Sequence, residues 1–499
     1  DKMNKLLYIF EMANNHQGSV EHGKKIIQEM GKITKKYNIK AAVKLQFRHY
    51  DTFIHPNMLE NKENPKIKRF LSTRLTDDEH IELINEIKEN NMLAMVTPFD
   101  ERSVDLIEKC KVDIIKIGSP SLHDFALLER VNENRKPVII SSGGSNLEHT
   151  DNLYSFFKNR HADFALMHCV SIYPTPTNKL NLQNITNFKN RYNVEIGFST
   201  HEDPNNTDAI KIAYSLGARI FEKHVGVETD IIKLNKYSAS PRQVENWIQS
   251  YIESKEAIGI ERIISIKEKE DLNLLYRGVF FNKDIKKGQT VLLEDIYYAF
   301  PINKKGILTG EFQSNIIADK DYNKNDFVPK IFSQKKDKNN TLIKYIHEVK
   351  GYLNESNIFV PSDSDMEISH HYGIENIFDT GCFISTIVNN NEYANKILVI
   401  LRGQKHPSHY HLKKDETFYI ISGELFLILE GNEIKLSKGS KYRIPRNTVH
   451  SFYTNTGCII EEISTTHYNN DSNYLDPKIS KITRSERKTK VFNWVLNYS

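Results

Sequence analysis

DDEHIELINEIKEN at residues 77–90 is followed, after two residues, by LAMVTPF at 93–99. The first stretch carries apolar residues at helical spacing and the second is a short apolar run. The pair is one unit of a series. Similar runs occur at LLYIFEMA (6–13), AAVKLQF (41–47), DIIKIGS (113–119), PVIISSG (137–143), FALMHCV (164–170), VEIGFST (194–200) and ARIFEKHV (218–225). Helical patterns lie between them, as in SPRQVENWIQSYIESKEAI (240–258). Buried parallel strands read as such runs, and their alternation with helices implies βαβ units. Eight units within roughly 250 residues fit a (β/α)8 TIM barrel. A doubly wound sheet is the alternative, and the count of eight favours closure.

The chain has 499 residues, more than one core normally spans, so two or three domains are expected. Hydrophobic residues at 39% and aromatic residues at 10% suffice to bury several cores, which argues against wholesale disorder. Net charge is only +4 and the basic residues are scattered, the longest cluster being Lys335 and Lys336 with Lys338. Nucleic-acid binding would need them gathered on one element, so no nucleic-acid partner is expected. Cys110, Cys169, Cys382 and Cys458 are far apart with no CxxC pair, which fits a reducing compartment. No apolar run approaches the ~20 residues of a membrane span, and the apolar run at Leu6–Phe10 lacks a cleavage pattern. A cytoplasmic location without a membrane partner is the expectation.

Residues 1–265 read as the barrel domain, and 271–332 change to short strands and turns. SQKKDKNNT at 333–341 reads as a linker, and from 342 to 499 the pattern is β-rich with glycine-containing turns. A sandwich or small all-β barrel is expected there.

Barrel folds collect catalytic residues at the C-terminal ends of their strands. Those ends carry Glu11; Lys44 and Gln46; Thr97; Lys116 and Ser119; Ser141; Tyr173, just beyond the sixth strand; Ser199 and His201; and His224. A lysine buried in a barrel costs several kcal/mol unless an anion or carboxylate partners it. Alone, each lysine is more often a surface residue at a strand end; together, flanked by hydroxyls, Lys44 and Lys116 make a site for a phosphate ester. His201 and His224 end neighbouring strands and can converge on one divalent ion with open positions for substrate. Glu11 is the acid/base candidate, with a structural pairing to Lys44 or Lys116 as the alternative.

FEMANNHQG (10–18), VKLQF (43–47), VTPF (96–99), IKIGS (115–119), IISSG (139–143), HCVSIYPTP (168–176), GFSTH (197–201) and EKHV (222–225) resemble the sialic acid synthase family in order and spacing. RGVFFNKDIKKGQTVLLEDI (277–296) is similar to that family's antifreeze-like (SAF) domain, a small β-clip-like fold. The resemblance implies condensation of phosphoenolpyruvate with an aldose such as N-acetylmannosamine, giving a nonulosonic acid and phosphate. It implies Mn²⁺, or Mg²⁺ or Co²⁺, on His201 and His224, and Glu11 as catalytic residue. Phosphoenolpyruvate is implied to bind at Lys44, Thr97, Lys116, Ser119, Ser141 and Ser199, and the sugar at Gln46, Tyr173 and Asn235. It also implies a homodimer in which the SAF domain caps the partner's site. Three positions depart from the family: Ser121 replaces a glutamate, Asn235 an aspartate, and Phe300 an arginine of the SAF domain. All three concern the sugar, so another hexose derivative or aldose is open.

In the C-terminal region the spacing Gly403, His409, His411, Glu416, Gly423 fits the first cupin motif, and Gly439, Pro445 and His450 follow as the second, with Asn447 where glycine is usual. A cupin (double-stranded β-helix) would point His409, His411, Glu416 and His450 at one ion: Mn, Fe, Ni or Zn. A surface HxH without metal is the plainer reading, which four coinciding ligands disfavour. HYHLKKDE (409–416) resembles cupin-type sugar isomerases, so this domain is expected to isomerise, epimerise or bind a sugar. Two other functions remain in view: the cupin isomerase as the main activity, or a non-catalytic carbohydrate-binding protein.

Overall fold

The computed structural model describes residues 6–60, 63–333 and 338–496. The chain divides into two compact units, the first ending at Ile263 and the second beginning at Ile264. In the first, β1 (Leu7–Glu11), β2 (Ala41–Phe47), β3 (Leu93–Pro98), β4 (Ile114–Ile117), β5 (Val138–Ser141), β6 (Phe164–Cys169), β7 (Ile196–Thr200) and β8 (Ile220–His224) close into a parallel barrel in sequence order. Each lies inside the run that forecast it, and the doubly wound alternative is excluded by the pairing of β1 with β8.

Strand alternation assigns the faces. Tyr8, Phe10, Val43, Leu45, Val96 and Phe221 pack outward in the core shared with the helices. The other parity points inward, where Leu7, Ile9, Ala42, Met95, Ile114, Ile139, Ala165, Met167 and Ile220 form a separate apolar plug. Two residues further along the same parity stand Glu11, Lys44, Thr97, Lys116, Ser141 and Glu222. The barrel is therefore apolar below and polar at its C-terminal mouth. Capping boxes start the flanking helices where expected: Thr76 with Glu79 for Asp77–Glu89, and Ser240 with Gln243 for Pro241–Ile258.

In the second unit, β9 (Gly278–Phe281) pairs with β11 (Ile296–Ala299), and β10 (Thr290–Val291) with β12 (Ile316–Ile317). Val279, Phe281, Ile285, Val291, Val328 and Phe332 give this region its own small core. The linker expected at 333–341 is only partly open to description: residues 334–337 lie outside the described residues, and 338–341 already belong to a helix, Lys338–Glu355. The β-rich expectation from 342 needs the same correction. Leu342, Tyr345, Ile346, Val349 and Leu353 recur at helical spacing and bury that face against strands of the all-β domain.

The remaining strands are β13 (Asp365–Ser369), β14 (Cys382–Asn389), β15 (Tyr393–Ile400), β16 (Lys405–Tyr410), β17 (Glu416–Leu429), β18 (Asn432–Ser437), β19 (Lys441–Ile444), β20 (His450–Tyr453), β21 (Cys458–Thr465), β22 (Asn473–Tyr474), β23 (Lys488–Phe492) and β24 (Val495–Leu496). They form one antiparallel system in which β17 pairs with β20 through its C-terminal half and with β21 through its N-terminal half, folding the sheet over on itself. Among the described residues no helix is long and apolar enough to cross a membrane.

At Gly197 in β7, an added Cβ would meet the Ile220 carbonyl oxygen at 2.8 Å and the Ile220 Cβ at 2.9 Å. Gly197→Ala is expected to destabilise the barrel by ~1–3 kcal/mol through overpacking. Denaturant unfolding checks this; an unchanged midpoint would contradict the packing described.

Candidate active site and metal centre

The barrel mouth encloses a cavity of about 490 Å³ lined by Glu11, Lys44, Gln46, Thr97, Lys116, Ser119, Ser141, Tyr173, Ser199, His201, His224 and Asn235. The barrel residues given catalytic, metal or substrate roles from sequence thus meet in one space. Lys44 and Lys116, on strands separated by β3, are both buried. Neither stands unpaired: carboxylates partner both, as burial of a lysine requires. The Glu222 carboxylate takes Lys116 Nζ at 3.0 Å on both oxygens and Lys44 Nζ at 2.9 Å. Lys44 also contacts Glu11, the structural pairing left open above. Ser199 Oγ donates to Glu222 at 2.8 Å.

Glu222 is the central residue that sequence reading missed. Its signal was present: it lies two before His224 on β8 and so shares that histidine's inward parity. The cavity is also lined by Arg48, Lys66, Arg69 and Tyr237, likewise not singled out. Arg48 lies over the rings of Phe99 and Phe70 at 3.7 and 4.3 Å and donates to Gln46 Oε1 at 3.0 Å. Of the departing positions, Asn235 lines the cavity but spends its side-chain oxygen on the backbone N–H groups of Tyr237 and Ser238. Ser121 is buried, and Phe300 is exposed.

Thr97 Oγ1 is buried without a partner, leaving a hydroxyl free for a ligand. Gly143, after β5, is close enough to Ser119 and Ser171 that a Cβ would collide with both hydroxyls. His201 Nδ1 donates to the Val170 carbonyl at 3.0 Å, so Nε2 keeps its lone pair. Its ring lies 5.2 Å from that of His224. Burial pushes His201 down to about 4 and His224 well below the usual imidazole range. Neutral, partly pre-oriented imidazoles fit a divalent ion.

Burial drives the Lys44 ammonium down to about 7, with Glu222 opposing and Lys116 adding to the shift. A group depressed in this way loses its charge as pH rises past that value, and an anion beside it restores the proton. Sulfate, whose charge is constant here, is expected to bind tightest below about pH 7 and progressively more weakly toward about pH 9. Calorimetry across that window tests the assignment; a flat profile would remove Lys44 from the anion site.

In the all-β domain His409, His411, Glu416 and His450 are buried, with one ligand atom from each lying within 4.8 Å of the others. Every imidazole is fixed by its Nδ1: His409 to Pro407 O at 3.1 Å, His411 to Asp471 O at 2.8 Å and His450 to Thr448 O at 3.0 Å. Each Nδ1 therefore carries the hydrogen, and the Nε2 lone pairs point at one another and at Glu416 Oε1. His450 Nε2 lies 3.0 Å from that oxygen, yet neither atom has a hydrogen-bond partner. A proton or a metal ion between them would satisfy both, and the four converging side chains fit a metal ion. Lys414 Nζ holds the other carboxylate oxygen at 2.5 Å, and burial opposed by Lys414 leaves Glu416 ionised well below the usual carboxylate range. Asp471 accepts from the backbone of Leu412, Lys413 and Lys414, clamping the loop between the ligands. Asn447 has φ +61°, left-handed backbone that asparagine tolerates best after glycine, which explains the departure from the motif.

Residues 33–262 match the model of the NeuB family, and residues 397–459 that of the cupin domain. A crystal structure of a Chromobacterium violaceum protein designated spore coat polysaccharide biosynthesis protein E is 38% identical, with a TM-score of 0.61, covering 66% of this chain and all of that one. The chain belongs to the NeuB family. Among curated relatives of this NeuB-family chain, the N,N'-diacetyllegionaminic acid synthase of Campylobacter jejuni is 27% identical over 65% of this chain and 99% of its own length. The N-acetylneuraminate-9-phosphate synthase of Drosophila melanogaster is 32% identical over 43% of this chain and 59% of its own. The matched cupin segment contains all four clustered residues of the second unit.

His411→Ala is expected to lose one bound divalent ion per chain relative to the parent, read by elemental analysis after loading with Mn²⁺ or Zn²⁺. Equal metal content in both proteins would rule out this centre.

Proposed function

We propose that the barrel condenses phosphoenolpyruvate with an aldose, releasing phosphate and forming a nonulosonic acid of the kind for which its relatives are named. The observation that carries this reading is the convergence of Glu11, Lys44, Lys116, Glu222, His201 and His224 on one cavity of a NeuB-family barrel.

In this reading Lys44 and Lys116 bind the phosphate and carboxylate of phosphoenolpyruvate, with Thr97, Ser119, Ser141 and Ser199 supplying hydroxyl donors. Glu222 is a positioning residue: it holds both ammonium groups in place before substrate arrives, so their reorganisation cost is met in advance. His201 and His224 would hold a divalent ion, which would supply Lewis-acid polarisation to the acceptor aldehyde. The enol carbon of phosphoenolpyruvate forms the new C–C bond to the aldehyde carbon, water adds at the phosphate-bearing carbon, and the C–O bond to phosphate then breaks. Glu11 is within reach of Lys44 and moves the protons of the water and the new hydroxyl.

Gln46, Tyr173 and Asn235 line the sugar end. Ser121, Asn235 and Phe300 support an acceptor other than N-acetylmannosamine, because charged groups of the family are missing there. Residues 271–332 are taken as the SAF domain of a homodimer, on the resemblance of 277–296. The cupin is taken as a sugar-handling module rather than a participant in condensation, since its metal ligands are its own.

Phosphate release from phosphoenolpyruvate, scanned over aldoses with Mn²⁺ present, tests the proposal; no release with any sugar would overturn it. Glu11→Gln is expected to keep phosphoenolpyruvate binding while turnover falls by ~10²–10⁴. His201→Ala should abolish turnover, and His409→Ala should leave it intact.

A further inference from the structure

The cavity of about 490 Å³ at the barrel mouth is lined by five cationic side chains, Lys44, Arg48, Lys66, Arg69 and Lys116, against two carboxylates, Glu11 and Glu222. Both carboxylates contact Lys44, and Glu222 also holds Lys116. The deep lysines are therefore compensated, whereas Arg48, Lys66 and Arg69 have no ion-pair partner among the described residues. Like charges gathered in a cleft repel one another, and such a cleft concentrates a ligand of opposite sign.

Position along β2 sets the order of the groups. Lys44 and Gln46 share the inward parity of that strand, and Arg48, just past its end, continues the alternation. At ~3.3 Å per residue, Lys44 to Arg48 spans roughly 13 Å of main chain, running outward from the buried lysines. Arg48 Nη1 donates to Gln46 Oε1 at 3.0 Å, which ties this cation to the residue given to the sugar end rather than to the phosphoenolpyruvate end. The guanidinium is held against the rings of Phe99 and Phe70, and Phe70 belongs to the helix Pro65–Ser72 that carries Lys66 and Arg69. That helix is fastened to the loop after β1, since Arg69 Nη1 donates to Gln17 Oε1 at 2.9 Å and Nη2 to the Asn14 carbonyl at 3.2 Å. Both acceptors are neutral, so they fix the place of the guanidinium without cancelling its charge.

We propose that Arg48, Lys66 and Arg69 form an anion subsite that selects the acceptor: the aldose carries its own phosphate or carboxylate at the end remote from the aldehyde, and these three side chains read it. The assignment rests on the reading of the barrel as a phosphoenolpyruvate-dependent synthase. Lys44 and Lys116 take phosphoenolpyruvate, the open chain of the acceptor lies along Gln46, and its anion meets the planar N–H fork of Arg48. Lys66 and Arg69, both exposed, stand beside that fork on the cavity wall. A dianion such as a phosphate monoester answers three cations more fully than a carboxylate does, and a neutral aldose leaves them uncompensated.

The test is phosphate release by the full chain at saturating phosphoenolpyruvate with Mn²⁺, using N-acetylmannosamine, its 6-phosphate and the corresponding uronate, in the parent and in Arg48→Gln. At least one anionic sugar is expected to show a KM about tenfold or more below that of the neutral sugar. Arg48→Gln is expected to raise that KM about tenfold while the KM for phosphoenolpyruvate stays within about twofold. Preference for the 6-phosphate alone would mark a phosphate subsite and for the uronate alone a carboxylate subsite; both support the proposal. Equal KM values for neutral and anionic sugars in the parent would overturn it. So would a variant that raises the KM for phosphoenolpyruvate and not that for the sugar, which would mark the cations as a funnel for phosphoenolpyruvate. Should Arg48→Gln fail to fold, Lys66→Gln combined with Arg69→Gln takes its place, since both side chains are exposed. Calorimetric titration with the same sugars, without phosphoenolpyruvate, separates failure of the subsite from failure of the synthase. Tighter binding of an anionic sugar that is lost in the variant, with no phosphate release, would keep the subsite and remove the synthase. No such difference in binding, with no release, would remove both.

Discussion

The Glu222 carboxylate, shared by Lys44 and Lys116, is the interaction on which the barrel's mouth depends. Taking two ammonium groups out of water is expensive, and two like charges converging on one point add repulsion. One carboxylate buried between them offsets both costs and fixes their direction. Glu11 supplies a second negative charge against Lys44, so the four groups balance formally without any ligand. On the proposed reading, a substrate anion entering such a site meets donors already aimed, with Thr97 Oγ1 still free to give another.

Parity along the strands explains why this cluster can exist in a folded core. The inward positions below it, such as Ile9, Met95, Ile139 and Ile220, are apolar and fill the lower barrel. The charged layer begins one inward position higher, where the strands end and the cavity opens. On β8 one outward residue is charged: Lys223 is buried against Glu202 and lies over the ring of Trp247, so even the departure from an apolar outer face is paired.

The cupin reaches a related solution with different chemistry. Its imidazoles are turned inward by three carbonyl groups, and the carboxylate beside them is held by Lys414. Negative charge and lone pairs face the centre, while the positive charge of Lys414 stands behind them. The barrel pre-positions cations for an anion, whereas the cupin pre-positions lone pairs for a cation.

Periodicity determined the eight strands, their inward parity and the gathering of polar residues at one end, because alternation is a local property of an extended chain. Spacing alone likewise sufficed to pick out the four clustered cupin side chains, since three of them lie within eight residues and the fourth on a recognisable strand. The helix at Lys338–Glu355 was equally readable, but the charged residues at its start resemble a linker. The partners of Glu222 depended on the tertiary structure: it meets Lys116 across 106 residues, and that contact exists only because the barrel closes with a fixed register. Asp471 belongs to the same class, joined to His411 by sheet folding that no local pattern encodes. Local chemistry specifies which way a side chain points; closure of the sheet specifies what it finds there.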